Sequence, residues 1–109
     1  SIYGNPLNNI EKVMLKKGIC WVSRNLAWTE AAWSDYVYWQ SQDKKTLKRI
    51  NQLISDTQRT PFEGVGKPEK LKENLSGFWS RRIDESNRLV YVIDNNQLII
   101  ISCRYHYEK

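Results

Sequence analysis

Residues 77–107 read GFWSRRIDESNRLVYVIDNNQLIIISCRYHY, and the fold is decided there. From Gly77 onward the apolar period is two, so Phe78 to Ile83, Arg88 to Asp94 and Leu98 to Tyr107 are predicted as three strands. Asp84 to Asn87 and Asn95-Asn96 between them are turn formers. Strands joined this closely predict an antiparallel meander. Working back toward the N-terminus, Gly64, Gly66 and Pro68 form a mobile or tightly turned loop up to Leu71, and Pro61 ends a helical signal. That helix is capped by Asp43. One face carries Leu47, Ile50, Leu53, Ile54 and Thr57, and the other Lys44, Lys45, Lys48, Arg49 and Gln52. An earlier helix starts at an N-cap, Thr29, with Glu30 in its first turn. Trp33, Tyr36, Val37 and Gln40, with Trp39 beside them, mark its expected apolar face. The prediction is an α+β domain: a two-helix hairpin with a basic outer side, packed on one face of a small antiparallel β-sheet.

At 109 residues the chain suits one compact domain. Hydrophobic residues at 40% and charged residues at 27% predict a folded core rather than disorder. The net charge of +5 and pI near 9.3 fit either a polyanionic partner or simply a charged, solvated surface. Cys20 and Cys103 make neither a disulfide framework nor a metal motif, so free thiols in a cytoplasmic protein are expected. No apolar run reaches membrane-spanning length and no signal-peptide pattern opens the chain. Residues 1–23 read as a separate extension of uncertain role. Gly4, Asn5, Pro6 and Asn8-Asn9 are loop formers, Ile10 to Lys17 suits a short helix, and Ile19 to Val22 suits the start of a strand running to Trp28. Met14 suits an alternative translation start.

His106 is the single histidine. With Arg104, Tyr105 and Tyr107 around it, and Arg81, Arg82 and Arg88 on neighbouring strands, it sits in the composition of a single-stranded nucleic-acid surface. The plainer reading is that the tyrosines pack and the arginines are solvated. Hairpin register separates the two. A strict two-residue turn at Asn95-Asn96 sets Arg88 opposite Cys103 and turns His106 to the other face. A three-residue loop or one bulge would bring Arg88, Arg104 and His106 to a common face. Metal-free RNA cleavage needs a base for the 2′-hydroxyl, a cation for the phosphate and an acid for the leaving 5′-oxygen. His106 suits the acid and Arg88 the cation. Glu63 and Glu69 flank the glycine-rich loop, and composition leaves both open as the base and both open as solvated loop acids.

Long stretches resemble a known family. These are Trp28-Thr29-Glu30, Trp33, Asp35-Tyr36, Tyr38-Trp39-Gln40, Arg59-Thr60-Pro61-Phe62-Glu63-Gly64, Gly66-Lys67-Pro68-Glu69, Asn74 through Ile83, Arg88-Leu89-Val90-Tyr91 and Cys103-Arg104-Tyr105-His106-Tyr107. Over roughly residues 24 to 107 the chain resembles the YoeB toxins of the RelE-like superfamily, so 24–109 is expected to be the toxin domain. The resemblance implies a toxin of a type II toxin–antitoxin system: a ribosome-dependent endoribonuclease cutting messenger RNA in the A site without a metal or cofactor. It implies Glu69 as general base, Arg88 as the phosphate-binding arginine and His106 as general acid. Tyr107 matches a substrate-placing tyrosine, and Lys72 and Arg82 match basic positions near the site. Arg81 and Arg104 are further RNA-contact candidates from the arginine-rich composition. Implied partners are a YefM-like antitoxin, a second copy of the chain, ribosomal RNA under the basic helix face, and operator DNA only through the antitoxin complex. The chain departs from the pattern in residues 1–23, in Lys70 where the family often has proline, and in Glu108-Lys109 after Tyr107.

Two other readings stay open. One is a non-catalytic inhibitor on the same fold, as in ParE-type gyrase poisons, against which Glu69, Arg88 and His106 argue together. The other is a decayed toxin kept as an antitoxin-binding co-repressor. Because Glu69 follows a glycine-rich loop, the site is expected to be complete only when bound.

Overall fold

A computed structural model describes residues 24–72 and 77–105. The expected helix at Ile10 to Lys17, the strand start at Ile19 to Val22, Cys20, and both His106 and Tyr107 lie outside the described residues. The element order is β1 (Asn25–Trp28), α1 (Glu30–Gln42), α2 (Lys44–Arg59), β2 (Glu69–Lys70), β3 (Trp79–Arg82), β4 (Arg88–Asp94) and β5 (Gln97–Ser102). The strands form one sheet in the order β1-β5-β4-β3-β2. The meander β3-β4-β5 is antiparallel, as predicted, and β2 extends it antiparallel. The sequence reading missed that β1 lies parallel to β5, pairing Asn25 with Gln97 through Trp28 with Ile100.

Local chemistry sets the helix ends. Thr29 accepts the Ala32 N–H at 3.0 Å, and Asp43 accepts the N–H groups of Lys45 and Thr46 at 3.0 and 3.3 Å. Both satisfy amides that the first turn leaves without partners. The apolar face expected on α2 is the one observed, with Ile50, Leu53, Ile54 and Thr57 buried. The face expected on α1 is corrected. Trp33 is 51% exposed and Val37 46%, whereas Ala32 and Trp39 are buried. The true stripe is Ala32, Asp35, Tyr36, Trp39, spaced i, i+3, i+4, i+7. Its aspartate hides it from a search for apolar residues. Trp33 instead closes an aromatic group with Trp28 and Tyr36, with centroids 4.8–5.9 Å apart.

The helices cover the sheet face carrying Leu89, Tyr91, Ile93, Leu98, Ile100 and Cys103, which share one cluster with Ala32, Trp39, Ile50, Leu53 and Ile54. The turn at Asn95-Asn96 has two residues, both at positive φ (48° and 66°), as a tight hairpin requires. Register then slips. Tyr91 pairs with Ile100 but Val90 pairs with Ser102, so Ile101 is an extra residue and the hairpin contains a bulge. The third predicted strand is also corrected: β5 stops at Ser102 instead of reaching Tyr107. Beyond it the chain is claimed by α1. Trp39 Nε1–H donates to the Cys103 carbonyl at 2.8 Å, and the Cys103 N–H donates to Asp35 at 3.1 Å.

Candidate active site

Register assigns faces. Glu69 pairs with Ser80, Ser80 with Val90, and Val90 with Ser102. Arg82 pairs with Arg88. Paired residues share a face and alternate residues return to it. Glu69, Ser80, Arg82, Arg88 and Val90 therefore lie on the face opposite the helices. Ser80 and Val90 are buried and form a small floor, and Glu69 and Arg82 are exposed at its margin. Glu69 and Arg88 are two strands and two residues apart, roughly 12 Å between Cα atoms from standard sheet spacings. Their long side chains can meet around a phosphate set between them. Lys72 is exposed just after β2.

The loop leading to Glu69 is tightly turned. Gly64 and Gly66 hold φ of 116° and 85°, open to glycine and costly for other residues. A Cβ on Gly66 would stand 2.8 Å from a Leu53 methyl. The Gly66 carbonyl accepts the Arg82 N–H at 2.7 Å, which fastens the loop to β3.

The assignment of Arg81 to RNA is overturned. Arg81 is 0% exposed, and each of its five N–H donors has an acceptor. Nε donates to the Tyr91 hydroxyl, Nη1 to Asp56 Oδ2 at 2.6 Å and to the Val65 carbonyl, and Nη2 to the carbonyls of Thr60 and Glu63. Alternation along β3 turns it toward the helices, so it cannot reach a phosphate. Burial acts to raise the Asp56 carboxyl, but hydrogen bonds from Arg81 and the Val65 N–H, with the charges of Arg81 and Arg59, leave it below its ordinary value. Burial pushes the Tyr91 hydroxyl up. Asp56 and Tyr91 were missed as partners because only the fold brings them to Arg81.

Arg104 is turned against α1. Its guanidinium carbon stands 3.5 Å from the Tyr38 ring centroid and 4.5 Å from that of Tyr105. Nearby, burial raises the Asp35 carboxyl against the opposing Cys103 N–H and Arg104 charge. Burial, then the Asp35 charge, pushes the Cys103 thiol up to about 12, which makes it an inert core thiol. The bulge is thus present as a common site would need, but it does not give Arg104 to that site. Tyr105 follows with φ of 64°; its N–H donates to Asn87 Oδ1 at 2.6 Å, and its carbonyl accepts the Arg88 N–H at 3.1 Å. From sequence Asn87 reads only as turn chemistry.

The family model described as "YoeB-like toxin of bacterial type II toxin-antitoxin system" matches residues 28–107. The toxin YoeB of Escherichia coli K12 is 63% identical over 82 residues, which are 75% of this chain and 98% of that toxin. The solved YoeB dimer from Staphylococcus aureus is similar with a TM-score of 0.73 and 49% identity, covering 78% of this chain and 99% of its own. The YoeB–YefM complex from the same organism matches with a TM-score of 0.71 and 48% identity, covering 77% of this chain and 98% of its own.

Proposed function

The chain belongs to the YoeB-like toxins of bacterial type II toxin–antitoxin systems, and from that membership we propose that it is a ribosome-dependent endoribonuclease cutting messenger RNA in the A site, with no metal in the chemistry. The observation that carries this reading is the register ladder from Glu69 through Ser80 to Val90, which leaves a carboxylate and the Arg88 guanidinium on one face. Glu69 takes the proton of the 2′-hydroxyl, and the 2′-oxygen attacks the adjacent phosphorus. Arg88 stabilises the charge that builds on the phosphoryl oxygens. His106 protonates the departing 5′-oxygen. The products are a 2′,3′-cyclic phosphate, which can open, and a 5′-hydroxyl. Lys72 and Arg82 hold neighbouring phosphates, and Tyr107 places the substrate. The family pattern assigns the base to Glu69 and not to Glu63, whose backbone carbonyl accepts from Arg81 in the preceding loop.

The solved dimer and YoeB–YefM complex of the Staphylococcus aureus relative support two further parts of the reading, a homodimer and a YefM-like antitoxin that silences the toxin. Operator DNA would be contacted through that antitoxin complex. The test maps messenger RNA 5′ ends in a purified translation system. Wild type should cut within the A-site codon. Glu69→Ala, Arg88→Ala and His106→Ala should each slow cutting by about 10²- to 10⁴-fold. Translation that stops without cuts would replace the nuclease by a binding inhibitor. No effect on translation would favour a decayed toxin.

A further inference from the structure

The β3–β4 turn carries a small polar network with no evident need beyond the turn itself. Asp84 Oδ1 accepts the N–H groups of Ser86 and Asn87, each at 2.8 Å, which already closes the turn. Asn87 is nonetheless buried, with its carboxamide fixed at both ends. Its Nδ2 donates to both oxygens of Asp84 at 3.1 Å, and its Oδ1 accepts the Tyr105 N–H at 2.6 Å. A carboxylate can only accept and a peptide N–H can only donate, so the amide has one possible orientation. The next residue, Arg88, donates its N–H to the Tyr105 carbonyl at 3.1 Å. Both polar groups of the Tyr105 backbone are therefore held by Asn87-Arg88. Tyr105 needs this hold, because φ of 64° is a conformation that a bulky residue keeps only when its surroundings impose it. The three residues before position 106 are all clamped: Cys103 by Asp35 and Trp39, Arg104 by Tyr38, and Tyr105 by Asn87 and Arg88.

We infer that Asn87 is a positioning residue for the cleavage reaction: its carboxamide fixes the Tyr105 peptide beside Arg88, one residue ahead of His106, and so sets where the acid is presented relative to the phosphate-binding arginine. The inference rests on His106 being the acid. The acid follows Tyr105 directly in the chain, and errors of about 1 Å in catalytic geometry can cost 10²-fold in rate. The carboxamide is required. An aspartate at 87 could still accept from Tyr105, but it could not donate to Asp84 and would oppose that carboxylate.

The experiment measures single-turnover cleavage on programmed ribosomes for wild type, Asn87→Ala, Asn87→Asp, Asp84→Asn with Asn87→Asp together, His106→Ala, and Asn87→Ala with His106→Ala. Asn87→Ala should lower kcat by about 10- to 100-fold with KM within about 2-fold. Exchanging amide and carboxylate in the Asp84→Asn, Asn87→Asp pair should recover most of the rate that Asn87→Asp alone loses, which a general loss of stability would not do. In the His106→Ala background, removing Asn87 should slow cleavage no further, because Asn87 acts through the acid. Wild-type cleavage by Asn87→Ala beside an inactive His106→Ala would overturn the inference and leave the nuclease reading intact. A full additional loss in the double variant would overturn it too. Wild-type cleavage by His106→Ala would instead remove the acid assignment itself.

Discussion

Arg81 and Arg82 are neighbours, yet alternation along β3 sends one guanidinium among the helices and leaves the other at the margin of the candidate site. A sequence shows two arginines; the difference lies in which face is buried, and only pairing fixes that. Replacing Arg81 by Met would strand the Asp56 carboxylate and leave the carbonyls of Thr60, Glu63 and Val65 without that donor. Loss of one partner from a buried charged network costs about 3–5 kcal/mol, against about 0.5 kcal/mol or less for a surface change such as Arg82→Met. Lysine at 81 should recover little, since one ammonium cannot reproduce five forked donors. Urea unfolding midpoints would read the difference. The pH sign follows from Asp56. Its carboxyl is lowered in the folded state, so its contribution is complete above the ordinary aspartate value and is lost as pH falls through the lowered one. Arg81→Met should therefore flatten the acid side of the stability curve. An unchanged midpoint and acid slope would show that the network contributes nothing.

The helix caps were legible because they are local: Thr29 and Asp43 act within three residues of themselves. The parallel pairing of β1 was not, since Trp28 meets Ile100 across the whole domain. The overrun of β5 has a chemical cause. The sequence from Cys103 onward keeps a strand-like alternation, but Asp35 and Trp39 take the N–H and carbonyl of Cys103 that a strand partner would use. Thr29 links these elements. Its N–H donates to the Ile100 carbonyl at 3.0 Å, and its hydroxyl donates to the carbonyl of Ile101, the bulged residue, at 2.9 Å while capping α1. Thr29→Val keeps the shape but loses both side-chain roles, which should cost about 1–2 kcal/mol. Thr29→Ser keeps both and should lie close to wild type. Amide exchange should locate the loss in the first turn of α1 and at the bulge. Uniform loss across the sheet, or equal loss in Thr29→Ser, would argue against the hydroxyl as the link.

For the molecule as a whole, charge and site lie on different elements. The sequence carries the residue types that metal-free cleavage would need, but the choice of Glu69 over Glu63 comes from resemblance, because a base is defined by the space it faces and a sequence carries no such distance. Register supplies part of that space by setting Glu69 and Arg88 on one face. Net charge of +5 was legible at once, but not what it serves. In the structure Lys44, Lys45 and Lys48 are exposed on α2, while Arg49 reaches back to donate to the Arg82 carbonyl at 3.1 Å. Three lysines on one helix attract a polyanion without sequence preference, and such attraction weakens as salt rises. If the α2 face meets ribosomal RNA, replacing the three lysines by Gln should raise KM for ribosome-dependent cleavage, leave kcat unchanged and make KM less sensitive to salt, because fewer counterions are then released on binding. If the lysines only keep the toxin soluble, KM and its salt slope will match wild type. A fall in kcat at constant KM would fit neither case and would mean that α2 acts on the geometry of the site through Arg49 and Arg82.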